Sequence, residues 1–264
     1  MNWLHIERSD TPLILAFPHG GSEVPAELEE QFRSRWWAIR DADWHIRALY
    51  EGLADATFIW TDISRSVIDC NRDPSGQSLY PGQTTTGLCP TETFDGEPLY
   101  QEGCEPDPAE RMAWFTPYYA AIEAEIARLR EKHPRVVLYD CHSIRSVVPR
   151  LFDGELPELN IGTNGATTCD IALSDAVLAA SSTRSHVLNG RFRGGWTTRH
   201  YGQPEAGVHA IQMETAMRAY LDEPAGEPDE TNWPPEWNAD RAAGLRADLS
   251  QILAAIMAFA KAPA

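Results

Sequence analysis

Leu13-Ile14-Leu15-Ala16-Phe17-Pro18-His19-Gly20-Gly21 is the stretch on which the fold turns. Its five-residue apolar run predicts a buried strand, which Pro18 stops and Gly20-Gly21 turns. The same pattern recurs downstream: Phe58-Ile59-Trp60-Thr61, Ser66-Val67-Ile68-Asp69, Val136-Val137-Leu138-Tyr139, His186-Val187-Leu188-Asn189 and His209 to Glu214 all read as strands. Helical periodicity lies between them. Val24 to Leu53 is mostly helical in pattern. Asp107-Pro108-Ala109-Glu110 is a helix start with an N-cap, Pro at the first position and a capping-box Glu. Met112, Phe115, Tyr118, Ile122, Ile126 and Leu129 then follow at helical spacing to His133-Pro134, with Pro117 expected to kink or divide the helix. Asp170 to Ala180 predicts another helix, and Leu245, Leu249, Ile252, Ile256 and Phe259 a C-terminal amphipathic one. Strands alternating with helices predict an α/β sandwich around a central parallel or mixed sheet. The long irregular stretch from Asp73 to Pro108, rich in Gly, Pro and Thr, reads as a wall or lid over a site.

Composition narrows the function classes. The 264 residues are 43% hydrophobic, enough for a sizeable core, and carry a net charge of −17. So acidic a chain argues against nucleic acid or an anionic membrane as partner. No uninterrupted apolar run approaches the roughly 20 residues of a membrane span, and Met1 to Glu7 lacks the basic and apolar regions of a signal peptide. The expected compartment is the cytoplasm. Five cysteines with no CxxC pair read as reduced thiols. Of the 22 basic residues only Lys132 and Lys261 are lysines, leaving 20 arginines. Base composition accounts for much of that bias, but arginine also grips carboxylates through its planar fork.

Ligands of open α/β sheets bind beyond the carboxyl ends of strands. Three polar clusters occupy such places: Pro18-His19-Gly20-Gly21, Asp140-Cys141-His142-Ser143, and Glu214 closing the strand from His209. His19 and His142 are candidate metal ligands. Catalytic zinc takes three protein ligands and keeps one position open, and Asp41-Ala42-Asp43-Trp44-His45 offers a third from Asp41 or Asp43. Other divalent ions suit the same ligands. Glu214 alternates with Gln212 and Ala210 on one strand face and is the candidate general base for an activated water. Ser143 and Cys141 flank His142, but there is no Gly-x-Ser-x-Gly elbow; Cys141 is expected to face the core. No Walker loop or Gly-x-Gly-x-x-Gly suggests a nucleotide. Arg65, Arg72, Arg145, Arg150, Arg193 and Arg199 lie in the same polar loops, a local basic pocket suited to a small anionic substrate.

With these residues in view the chain resembles the N-formylglutamate amidohydrolase (deformylase) family. The resemblance runs from about Pro12 to Glu223. It is carried by Pro18-His19-Gly20-Gly21, Asp41 to His45, Ser64-Arg65, Asp69-Cys70-Asn71-Arg72 and Ser78 to Gln83. Thr84 to Pro90, Phe94 to Tyr100, His142 to Ser146, His186 to Phe192, Gly194-Gly195, Thr198 to Gly202 and Gly207 to Ala210 continue it. The resemblance implies a three-layer, phosphorylase/hydrolase-like, zinc exopeptidase-like sandwich in a single domain over residues 1–264. It implies Zn2+ on His19, Asp43 and His142, with Asp43 the better match than Asp41. Glu214 is the implied base, and Asn71-Arg72 the implied carboxylate clamp. Arg65, Arg145 and Arg199 are further expected substrate contacts. Glu23 does not fit the ligand spacing of the related carboxypeptidases. The implied reaction converts N-formyl-L-glutamate to L-glutamate and formate, the last step of a histidine degradation route. Two alternatives are the same chemistry on another N-acyl amino acid or acyl peptide, and a non-catalytic dicarboxylate-binding protein.

Overall fold

The computed structural model describes residues 2–78, 80 and 82–263; Leu79 and Pro81 of the Ser78–Gln83 match lie outside the described residues. Seven strands form one mixed sheet: β1 (Leu4–Glu7), β2 (Leu13–Phe17), β3 (Thr57–Thr61), β4 (Val136–Ile144), β5 (Leu159–Gly162), β6 (His186–Leu188) and β7 (Val208–Ala216). Their spatial order is β1-β3-β2-β4-β7-β5-β6. The central run β3-β2-β4-β7 is parallel. At the two ends β1 joins β3 and β5 joins β7 antiparallel, and β6 is parallel to β5. The helices are α1 (Arg35–Ile39), α2 (Ile46–Tyr50), α3 (Pro108–Arg130), α4 (Ile171–Ala180), α5 (Trp196–Tyr201) and α6 (Ala239–Lys261).

Strand alternation sorts the core into two sides. Leu13 and Leu15 of β2, Val137, Tyr139 and Cys141 of β4, and Ile211 and Met213 of β7 pack against α2, α4 and α6. Ile14, Ala16, Val136, Leu138 and Ala210 turn the other way, onto Phe115, Tyr118, Ile122 and Leu129 of α3. Helices therefore cover both faces, and β2 is buried throughout. By length and composition α6 passes for a membrane-crossing helix. Here Leu245, Leu249, Ile252, Leu253 and Ile256 lie fully buried in the core, which makes it a sheet-covering helix.

Several expectations change. Ser66–Asp69 is not a strand: Ser64 Oγ accepts from Ser66 N, Ser64 O from Val67 N, and Asp69 Oδ1 from Asn71 N, so local hydrogen bonds fold the segment into turns. Residues 24–53 contain only short helices. Ser34 caps α1, and a left-handed His45 (φ 58°) separates α1 from α2. Pro117 leaves α3 unbroken. The carbonyl it orphans belongs to Ala113, at an exposed position where water can serve it. β4 runs further than its apolar run, so His142 lies inside a strand rather than beyond it, and β7 continues two residues past Glu214 to Ala216. β1, β5 and α5 were not expected.

The loop after β2 is locked to the chain leaving β3. Glu23 N donates to Asp62 O and Ser64 N to Glu23 O. A Cβ on Gly21 would lie 2.3 Å from the Asp62 carbonyl carbon. Gly21→Ala is therefore expected to lower stability by about 1–3 kcal/mol in chemical denaturation. Gly226→Ala, whose Cβ meets nothing within 4 Å, should stay within about 0.5 kcal/mol of the parent.

Candidate metal centre and substrate pocket

Parallel pairing of β4 and β7 sets Asp140 beside Gln212 and His142 beside Glu214. Alternation aims all four to the α3 side, where the sheet is left uncovered past Leu138. His19 arrives from the turn after β2, two residues beyond Phe17. Asp43 arrives from the segment before α2, where its backbone N donates to His19 O. His19, Asp43 and His142 thereby bring one ligand atom each to within 4.8 Å of one another, all buried.

The outer hydrogen bonds settle which atoms converge. His19 Nε2 is 2.6 Å from Asp69 Oδ1, and His142 Nε2 is 3.0 Å from Asp140 Oδ2. A proton on the ring nitrogen that each carboxylate meets leaves both Nδ1 atoms of the neutral imidazoles with lone pairs; His142 Nε2 also has the Asn71 amide nitrogen 2.9 Å away. Those Nδ1 atoms are 3.1 Å apart, and Asp43 Oδ2 lies 3.2 Å from that of His142 and 3.8 Å from that of His19. Ser143 N holds the same Asp43 oxygen at 2.9 Å, and Arg65 holds the other at 3.2 Å. Three electron-pair donors thus face one another on buried side chains. The donor set, two imidazoles and one carboxylate, suits zinc or another divalent cation.

Charge points the same way. Asp43, Asp69 and Asp140 outweigh Arg65, which pairs with Asp43 and Asp69, and Arg72, whose guanidinium is 3.4 Å from Asp69. Burial presses His19 down to about 4, keeping it neutral and a competent ligand. Burial opposes charge on His142 as well, but Asp140 beside it holds its value well above the usual imidazole range. Without a cation, then, one proton on His142 must answer the surrounding carboxylates. Burial pushes the Glu214 carboxyl up to about 8. Asp41, the other candidate third ligand, stands outside the cluster. Its Oδ2 accepts from Phe94 N at 2.6 Å and burial raises its carboxyl.

The ligand atoms open into a cavity lined by the apolar Phe94, Ile144, Leu151 and Phe192 and by Thr85 and Thr86. Arg65, Asn71, Arg72, Arg191, Gln212 and Glu214 also line it. Asn71 is fully engaged: its Nδ2 donates to Asp140 Oδ2 at 3.1 Å, and its Oδ1 accepts from Thr197 N at 2.9 Å. Gly195 permits that approach, since a Cβ there would sit 2.3 Å from the Asn71 amide. Arg72 reaches the cavity while donating to Thr86 O, Thr86 Oγ1 and Asn71 O. Arg65 is tied up by its two aspartates. Arg145 is turned away to Asp95, 2.7 Å distant, and is not among the cavity's lining residues. Arg199 donates to Gly194 O and lies over the Tyr80 ring, outside the lining. Arg150 pairs with Glu92. Cys141 is buried on the opposite face, where burial raises its thiol, and is not placed as a nucleophile.

Sequence reasoning did not single out Asp69, Asp140, Gln212 or Arg191. Asp140 was findable: it stands two residues before His142, hence on the same strand face. Asp69 and Arg191 had no such signal, because turns rather than a regular element bring them here.

Residues 11–221 match the family described as N-formylglutamate amidohydrolase. The N-formylglutamate deformylase of Pseudomonas aeruginosa is 42% identical over 267 residues, 98% of this chain and 97% of that one. The enzyme of the same name from Pseudomonas putida is 38% identical over 97% of this chain and 96% of that one. The crystal structure of N-formylglutamate amidohydrolase from Ralstonia eutropha JMP134 shares the fold at a TM-score of 0.77 and 20% identity, over 99% of both chains. A gene product of Agrobacterium tumefaciens shares it at 0.67 and 17% identity, over 97% of this chain and 96% of that one.

Two outcomes are expected. Asp140→Asn should weaken divalent-ion affinity roughly 10- to 100-fold in competition with a chromogenic chelator, because the partner of His142 Nε2 is lost. In chelator, Glu214 binds a proton in the folded state between its ordinary value of 4.5 and about 8. Stability of the ion-free protein should therefore fall as pH rises through that window. Glu214→Gln should remove the Glu214 share of this dependence, leaving that of His142, and be more stable at pH 7 by on the order of 1–3 kcal/mol in denaturant titrations.

Proposed function

The chain belongs to the N-formylglutamate amidohydrolase family, and from that premise we propose that it hydrolyses N-formyl-L-glutamate to L-glutamate and formate with the help of a divalent cation, zinc first. The observation that carries this reading is the convergence of His19 Nδ1, His142 Nδ1 and Asp43 Oδ2 in a pocket shared with Glu214 and Arg72. We take residues 1–264 as one domain of the zinc exopeptidase-like kind, since the sheet draws on strands from Leu4 to Ala216 and α6 packs on it. The pathway role is the final step of histidine degradation. A cytoplasmic setting is supported by the five free cysteines.

His19, Asp43 and His142 would hold the ion, with Asp69 and Asp140 keeping the imidazole tautomers that expose Nδ1. When bound, the ion supplies Lewis acidity toward water and toward developing negative charge. Glu214 then takes the proton of the attacking water as its oxygen adds to the formyl carbon. As the carbon–nitrogen bond breaks, Glu214 delivers that proton to the departing amine. Burial gives Glu214 the elevated proton affinity that both transfers need near neutral pH. Arg72 meets a substrate carboxylate, and its three protein acceptors fix the direction of its fork. Phe94, Ile144 and Phe192 limit water in the pocket.

Purified protein should release formate from N-formyl-L-glutamate, lose that activity to a chelator and regain it with zinc. Glu214→Gln should lower kcat roughly 10²- to 10⁴-fold with KM within about threefold. Bound stoichiometric metal without formate would move the assignment to another N-acyl amino acid. Neither metal nor formate would favour the dicarboxylate-binding protein.

A further inference from the structure

The arginines around the pocket are not equivalent. Arg65 is neutralised by Asp43 and Asp69, Arg145 by Asp95, and Arg150 by Glu92. Arg72 has Asp69 at 3.4 Å. Arg191 lines the same cavity, yet no carboxylate pairs with it among the described residues. Its Nε donates to Leu151 O at 2.7 Å and one terminal nitrogen, NH2, to Thr84 O at 2.8 Å. The second terminal nitrogen, NH1, has no protein acceptor among the described residues. The guanidinium carbon lies 5.6 Å from the Tyr80 ring centre and 5.5 Å from that of Phe192.

A cation without an ion-pair partner in a half-buried pocket is a poor arrangement unless an anion completes it. Burial, and after it the nearby Arg72, disfavour the charge on Arg191 more than Tyr80 and Glu214 support it. Two like charges facing one cavity are what a substrate with two carboxylates would relieve. Their supports divide the work between them. Arg72 follows Asn71, whose amide touches the Asp140–His142 pair, and contacts Asp69, the partner of His19. Of the two, it stands nearer the reacting centre. Arg191 hangs from the two loops that wall the pocket, at Thr84 and Leu151. In an N-formyl amino dicarboxylate one carboxylate is on the carbon bearing the scissile amide, and the other is at the end of the side chain.

We propose that Arg191 binds the side-chain carboxylate and is the residue that makes this site select N-acyl amino dicarboxylates over neutral N-acyl amino acids. The assignment rests on the hydrolytic reading above and names its substrate class. Tyr80 and the two carbonyls hold the fork in place, so that little ordering remains when the carboxylate arrives.

The test compares N-formylglutamate with N-formylglutamine, which is close in size and lacks only the terminal charge. The zinc-loaded wild type should prefer N-formylglutamate in kcat/KM by roughly 10- to 100-fold, the worth of a charge-assisted hydrogen-bonded pair. Arg191→Met should lose that factor on N-formylglutamate, chiefly through KM, while N-formylglutamine stays within about threefold. Arg191→Lys, which keeps the charge without the fork, should retain part of the preference and serves as the test if the Met variant does not fold. An equal loss on both substrates would make Arg191 a loop tether and overturn the proposal. So would a wild type that does not distinguish the two. A wild type inactive on every N-formyl amino acid overturns the hydrolytic reading itself, and this inference with it.

Discussion

Two imidazole nitrogens and a carboxylate oxygen, each presenting a lone pair and all on buried side chains, repel one another unless positive charge lies among them. The site is organised around that constraint. Asp69 and Asp140 enforce it by claiming the protons of the far ring nitrogens. Ser143 N and Arg65 enforce it by turning the Asp43 carboxylate inward. Removing any of these supports frees a ring or a carboxylate to rotate and satisfy itself, and the demand for a cation disappears with it.

The sheet is what makes so unfavourable a cluster affordable. Leu138 and Ala210, one pleat below Asp140 and Gln212, are in fully packed core, so the strands carrying the polar residues are anchored in apolar contacts a few ångströms away. Antiparallel addition of β5 to β7 then places Asn160 beside Glu214, whose backbone carbonyl accepts from the Asn160 amide. The face that carries the candidate site is therefore a continuation of the hydrophobic core, and its residues inherit the rigidity of strands rather than the mobility of loops. Loops contribute the other half of the pocket. Arg72 and Arg191 both hold the 84–86 segment by its carbonyls, so the cations facing the cavity also keep its wall in position.

Much of this was legible in the chain. Apolar runs located β2, the start of β4 and the core of β7, and helix signals at Asp107, Asp170 and along Leu245–Phe259 were answered by α3, α4 and α6. What failed was the assumption that a strand stops where its apolar run stops. β4 continues through Asp140, Cys141 and His142 because its backbone still pairs with β7, and pairing is indifferent to what the side chains on the open face are. Ser66–Asp69 failed in the opposite sense, since β-branched residues in sequence were overruled by Ser64 and Asp69 bonding to the local backbone.

The sequence by itself determined the residue types that meet at the site and the periodicities that build the scaffold, because strand alternation and helix capping are local physics. It brought His19, Asp43, His142 and Glu214 forward as candidates through position and family resemblance alike. Only the tertiary structure decided which nitrogen each imidazole presents, that Asp43 rather than Asp41 joins the cluster, and which arginine carries which partner. Those outcomes depend on groups up to about a hundred residues apart, such as Asp43 with Ser143 and Arg191 with Thr84. Arginine's charge is written in the chain, but whether that charge is already neutralised is a property of its neighbours in space, and on that depends whether it holds the fold together or waits for a ligand.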